Sequence, residues 1–255
     1  MNLIPDINRK LRLIGVLILV ASLTGCLYWL RLYQVYLQLN QFDENFSIST
    51  EQNFTLHFNH PLLQDSDFID LARLYPTENN PDKNGRQWRY WFRKVDTHGK
   101  VIIPEIKFYS ELSFNEDKKL VAWTFSSLFL AMTPPKFLEI SLRSIAGANI
   151  DKENKQLKAN TDLIGKINAP LPKQTQIIAQ LGAPLEIKDE PEQEVYVYHF
   201  LLDSPRIESG YESNALNEVK LSFDKKTHEL FNMAGNFAGL KISIDYRKFL
   251  ESSQK

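Results

Sequence analysis

Cys26 is the only cysteine in the chain, and its surroundings give its thiol a specific chemical meaning. It follows Leu23-Thr24-Gly25 at the end of an apolar run, and the small side chains of Thr24 and Gly25 let an extended segment enter a narrow peptidase cleft. Other reactive side chains are poorly placed for joint chemistry. His57 and His60 are three apart, and in a strand that spacing puts them on opposite faces. Asp65 and Asp67 resemble an acid/base pair on paper, but at a helix start carboxylates cap the backbone. His98, His199 and His228 have no cysteine or carboxylate at metal-ligand spacing. No Gly-x-Ser-x-Gly elbow and no phosphate-cradling glycine loop occurs, the 10 glycines being scattered. The cluster Trp88, Tyr90, Trp91 and Phe92 has the rings to hold a sugar or lipid, although alternation sends Trp91 one way and the other three the opposite way. No nucleophile–base pair, metal site or cofactor site can be named, so the sequence reads as that of a non-enzymatic protein.

The element that positions Cys26 begins with Arg9, Lys10 and Arg12, which precede the apolar stretch from Leu13. A basic n-region, a short apolar h-region and small residues at its end are the parts of a secretory signal. Leu23-Thr24-Gly25-Cys26 resembles the lipobox of bacterial lipoproteins. That resemblance implies cleavage between Gly25 and Cys26, a diacylglycerol thioether on Cys26 and acylation of the new amino terminus. One acyl chain binds a membrane marginally and two or more hold it stably. The absence of Asp after the cysteine, where Leu27 stands, implies by the same resemblance the periplasmic face of the outer membrane. The alternative is an uncleaved helix: Leu13 to Leu30 is a charge-free run of about 18 residues, near the lower limit for crossing a bilayer. It would leave the protein single-pass in the inner membrane, with the basic N-terminus cytoplasmic and the rest periplasmic.

The remaining chain suits a globular body of one large or two small domains. Its net charge of −1 offers no basic field to nucleic acid. With Cys26 acylated, no disulfide is available, so stability must come from a core rich in the 16 Phe, 10 Tyr and 4 Trp.

Residues Arg31 to Phe42 read as an amphipathic helix, with Arg31, Gln34, Gln38 and Gln41 on a polar face and Leu30, Tyr33, Leu37, Leu32, Tyr36 and Leu39 filling the apolar side. Bilayer, own domain or partner must cover that apolar face. Strands are expected at 54–58, 88–95, 106–114, 120–125, 195–202, 219–223, 229–233 and 240–246, from their alternation. Helices are expected from Ser66 or Asp67 to Leu74, from Pro134 to Ile145 with Gly147 as stop, and over Gln174–Leu181, stopped by Gly182 and Pro184. Asn79–Gly85, Lys188–Glu194 and Asp203–Asn217 read as loops. The boundaries that follow are a signal at 1–25, an anchor and helical tether at 26–46, a first unit at 47–150, a linker at 151–166, a second unit at 167–250 and a tail at 251–255.

The two units repeat one another. Leu74 corresponds to Leu181, Trp88, Tyr90 and Phe92 to Tyr196, Tyr198 and Phe200, Leu112 to Leu221, and Leu120 to Leu230, at separations of 107 to 110 residues. Ile177-Ile-Ala-Gln-Leu-Gly-Ala-Pro184, with Tyr196-Val-Tyr198 and Val219–Asp224, resembles the small outer-membrane assembly lipoproteins of the SmpA/OmlA (BamE) type, and the wider helix-on-sheet group that includes the β-lactamase inhibitor protein. The expected fold class is therefore α+β: an N-terminal signal/anchor helix followed by two tandem small helix-on-antiparallel-sheet units. The expected role is that of a lipid-anchored periplasmic protein working by contact with an envelope protein. A lipid or small-ligand carrier is the second reading, and a secreted-enzyme inhibitor the third.

Overall fold

The computed structural model describes residues 29–146, 149–151, 156–158, 165–237 and 240–251. Residues 29–38 form helix α1, and α2 follows at Phe42–Asn45. Strand β1 (Phe46–Ser49) folds back on β2 (Phe54–Phe58). Helix α3 (Asp65–Ala72) leads to β3 (Glu78–Asp82), β4 (Gly85–Val95), β5 (Lys107–Asn115) and β6 (Leu120–Phe125). Helices α4 (Ser127–Met132) and α5 (Pro135–Arg143) come next, then a small separate hairpin of β7 (Asn149–Asp151) and β8 (Gln156–Lys158). The last part is α6 (Gln174–Leu181), β9 (Glu186–Asp189), β10 (Gln193–Leu202), β11 (Leu216–Asp224), β12 (Leu230–Phe237) and β13 (Leu240–Asp245), closed by a 3-10 turn at Tyr246–Phe249.

These elements overturn the expectation of two tandem helix-on-sheet units; the signal/anchor helix expected ahead of them lies outside the described residues. One 11-stranded antiparallel sheet, curled into a half-barrel, runs β1-β2-β6-β5-β4-β10-β11-β12-β13, with β3 added to β4 and β9 to β10. The reason lies in incomplete edges. Strand β3 pairs with β4 only over Gly85–Arg89, and β9 pairs with β10 only over Glu194–Val197. The uncovered ends then pair with each other, His199–Leu202 against Phe92–Val95. Unpaired strand edges are open templates for other chains, and the seam removes two of them. Alternation alone looks the same at an edge and at a seam, so the sequence pattern does not distinguish the two arrangements.

The core is correspondingly shared. Phe108 packs edge-on against Phe200 with ring centroids 4.9 Å apart, and Phe92 meets Phe237 at 6.2 Å. Phe129 of α4 touches Phe108 and Phe237, and α4 also lies against α6. Tyr246, fully buried, donates its hydroxyl to the carbonyl of Met132 at 2.5 Å.

Element by element, the two halves of the sheet follow one plan. Each helix starts with a capping box, at Gln64/Asp67 and at Lys173/Gln176, and ends on a positive-φ residue, Arg73 and Gly182. Each hairpin carries a register shift, at Ser113/Phe114 and at Ser222/Phe223, and a left-handed turn residue, Lys118 and His228. Two loop readings are corrected. Asn79–Asp82 forms most of β3, and Lys188-Asp189 closes β9; Pro81 is tolerated because β3 is paired on one side only. The β3–β4 turn depends on Gly85, where φ is +151° and a Cβ would lie 1.9 Å from the Phe114 carbonyl oxygen. Helix α4 lies in a segment with no strong start signal and was not expected. Phe249 is buried and the Glu251 N–H donates to the Ile167 carbonyl; residues 252–255 of the expected tail lie outside the described residues.

Candidate functional site

Helix α1 sits at the point where the chain emerges from the apolar N-terminal stretch, and its seating is specific. Arg31 grips Asp67 with both arms of its guanidinium, Nε to Oδ2 at 2.8 Å and Nη2 to Oδ1. Asp67 is only 2% exposed. As the third residue of α3 it also accepts the Gln64 backbone N–H at 2.8 Å. A buried carboxylate is tolerated when its lone pairs are filled, and a helix N-terminus favours negative charge. The hydrogen bond to Asp67 in turn holds Arg31 more firmly protonated than usual. Val35 and Leu39 pack on the core, and Gln38 Nε2 donates to the His60 carbonyl at 2.9 Å. At the far end Phe42 is buried against Phe46, with the Arg143 guanidinium 4.3 Å over its ring and paired to Asp43 at 2.8 Å.

This seating turns two of the polar-face residues inward. Arg31 and Gln38 reach the body, while Leu30, Tyr33 and Leu37 stay 50, 53 and 45% exposed, next to Trp29 at 65%. Residues 29, 33 and 37 fall on one line of a helix, with 30 beside it. The stripe is about 12 Å long at 1.5 Å per residue.

The other candidates resolve into separate local contacts. Gly25 and Cys26, the expected cleavage and attachment residues, lie outside the described residues. His57 Nε2 is 3.0 Å from Ser49 Oγ on the exposed β1–β2 hairpin, but no described carboxylate orients the other ring nitrogen, as triad chemistry needs. His60 is beyond the strand end and offers its backbone carbonyl to Gln38. Asp65 pairs with Arg86 at 3.2 Å and Asp67 with Arg31, so the two carboxylates serve different partners. Among the described residues no group of three His, Cys, Asp or Glu side chains is placed to hold a metal ion. Trp88, Tyr90 and Phe92 are in the core. Trp91, on the opposite face, donates to Glu78 Oε1 at 2.8 Å and lies 4.9 Å from Lys107 Nζ. Its neighbour Tyr109 lies under the Arg89 guanidinium, 4.6 Å from ring centroid to Cζ.

Two residues were missed by sequence reasoning. Lys94 is buried, in phase with Trp88, Tyr90 and Phe92, and that phase was the available signal. Its ammonium donates to the carbonyls of Leu181 at 2.6 Å and Ala183 at 2.5 Å, closing the C-terminus of α6, and lies 5.0 Å from the Tyr198 ring. Desolvation lowers its pKa. The second is Arg31, whose tie to Asp67 spans 36 residues and leaves no local signature.

No protein family, no curated protein and no solved structure matches the chain. Among the described residues no helix is long and apolar enough to cross a membrane.

Proposed function

We propose that the chain is a lipid-anchored protein of the periplasmic face of the outer membrane, attached through an acylated Cys26, that acts by contact with envelope proteins in assembly or maintenance of the envelope. The observation that carries this reading is Leu23-Thr24-Gly25-Cys26, a lone cysteine behind small residues at the end of a basic-then-apolar leader. With α1 formed from residue 29, the body follows within three residues of that attachment point.

Intact mass after membrane extraction tests the anchor. A mature chain beginning at Cys26 and carrying acyl groups is expected, and Cys26→Ala should abolish both the processing and the added mass. A full-length unmodified mass in the membrane fraction would replace the lipid anchor by the single-pass helix, which the apolar continuation Leu27-Tyr28-Trp29-Leu30 favours. Cross-linking in intact cells tests the contact role: capture of a defined envelope partner is expected, and a chain that captures none at any surface position contradicts it.

A further inference from the structure

We propose that the outer stripe of α1, formed by Trp29, Leu30, Tyr33 and Leu37, lies in the headgroup layer of the lipid bilayer and fixes the orientation of the body above it. This rests on the membrane attachment proposed above and extends it from a point of tethering to a surface of contact.

Three observations select a lipid surface as the occupant. The first is tether length. Cys26 precedes Trp29 by three residues, about one helical turn of chain, and even fully extended those residues reach only about 10 Å. Leu30, Tyr33 and Leu37, at most about 12 Å further along the helix, therefore stay within about 22 Å of the attachment point, and a helix lying along the surface holds them all at its depth. The second is side-chain chemistry. Trp and Tyr place amphipathic rings at the headgroup level, and Leu enters the acyl boundary. The third is charge. Between Trp29 and Phe42 there is no Asp or Glu, so nothing on the helix repels anionic headgroups, and the exposed polar neighbours Gln34, Asn40 and Gln41 are neutral.

The seating of α1 makes the contact consequential. Arg31 on Asp67, Gln38 on His60, and Val35 and Leu39 on the core hold the opposite side of the helix. The stripe therefore cannot turn inward without breaking a buried ion pair. A helix tied to the body on one side and to lipid on the other transmits its orientation to the sheet.

The test uses the full chain, purified from membranes and reconstituted into phosphatidylethanolamine/phosphatidylglycerol vesicles, part of whose lipid carries bromine on the acyl chains. Bromine quenches nearby tryptophan. Trp88 is buried, and Trp91 and Trp123 are half-buried in the body, so Trp29 should dominate the quenching. Trp29→Phe should reduce it at least two-fold. Tyr33→Glu combined with Leu37→Glu, both at exposed sites, should also reduce it at least two-fold while leaving the thermal melt unchanged. Equal quenching of wild type and Trp29→Phe, with mass confirming acylated Cys26, overturns the stripe and leaves the anchor intact. A full-length unmodified mass overturns the lipid anchor; Trp29 then belongs to the spanning run, so in that sample the double Glu variant decides, a two-fold loss of quenching supporting the surface contact and unchanged quenching overturning it. A dimer in detergent that the double Glu variant dissociates assigns the stripe to a second copy of the chain and overturns the lipid occupant.

Discussion

The half of the sheet built on α3 and the half built on α6 share a plan and differ at one capping position. In both, the third helical residue reaches back to the N-cap backbone, Asp67 Oδ2 to Gln64 N–H at 2.8 Å and Gln176 Oε1 to Lys173 N–H at 3.0 Å. Asp67 carries a charge and is buried; Gln176 is neutral and exposed. The charge has recruited Arg31, and with it the whole of α1, to the first half. A second difference lies in the paired core tyrosines. Tyr198 donates its hydroxyl to the Gly182 carbonyl at 3.2 Å, whereas the Tyr90 hydroxyl is buried without a partner. A repeated scaffold has thus been specialised by single polar groups, with the backbone plan unchanged.

The strongest way to break the comparison is at the seam. Phe200→Ala removes the ring that meets Phe108 and should cost about 3–5 kcal/mol, the range for emptying a buried aromatic site. All four tryptophans lie in the first half, at residues 29, 88, 91 and 123. A substitution in the second half should therefore shift the tryptophan-monitored urea midpoint together with the far-ultraviolet one. An unmoved tryptophan transition would show the halves unfolding independently.

Exchanging the capping residues sharpens the difference. Asp67→Gln should destabilise by about 2 kcal/mol, below the ~3–5 kcal/mol of a fully buried pair, because Arg31 is 23% exposed and can be rehydrated. Amide exchange over residues 29–38 should rise at the same time. Gln176→Asp, at an exposed site, should stay within about 0.5 kcal/mol. Equal losses from both would remove the claim that Asp67 is special.

The tyrosines should give opposite signs. Tyr198→Phe should cost about 1 kcal/mol for its hydrogen bond, and Tyr90→Phe should be neutral or stabilising, because a buried hydroxyl without a partner is removed. Chemical denaturation of both variants measures this.

A further contrast comes from alkali. Burial raises the pKa of Tyr90, Tyr198 and Tyr246. The folded state keeps these protons longer than the unfolded chain does, so their contribution is complete below the ordinary tyrosine value of about 10 and is lost as pH rises past it. Lys94 acts with the opposite sign, because its pKa is lowered and the unfolded chain binds its proton more tightly. Three phenols outweigh one amine, so stability should fall above about pH 10, and less steeply in Tyr90→Phe. A flat melting temperature from pH 9 to 11 would contradict this.

The sequence carried much of the local structure. Alternating aromatics located β4 and β10, and Gly182 and Pro184 marked the end of α6. The bulk of both hairpins was visible from Leu112, Phe114, Leu221 and Phe223. Long-range geometry was hidden. A polar stretch such as Asn79-Asn80-Pro81 has turn composition, yet pairs because β4 offers it an edge. The seam joins residues more than 100 positions apart, and its strands alternate no differently from edge strands. The helix at 29–38 was legible as amphipathic, but which side faces the body depends on Asp67, and no periodicity shows that. The attachment chemistry is the reverse case, being written in four adjacent residues that lie outside the described part of the chain.

The strand order also sets a ruler. Strand β1 follows directly on α1 and α2, and β13 closes the other end of the nine-strand path. At about 4.8 Å per neighbouring pair, that path is roughly 38 Å along its curve, so the rim bearing the exposed Ile242 is the part of the sheet furthest from the N-terminal helix in strand order. The curl folds that margin back: Tyr246, just past β13, packs on Phe137 of α5, whose Arg143 covers Phe42 behind the N-terminal helix, so the strand count sets the length of the path and the half-barrel sets where it ends.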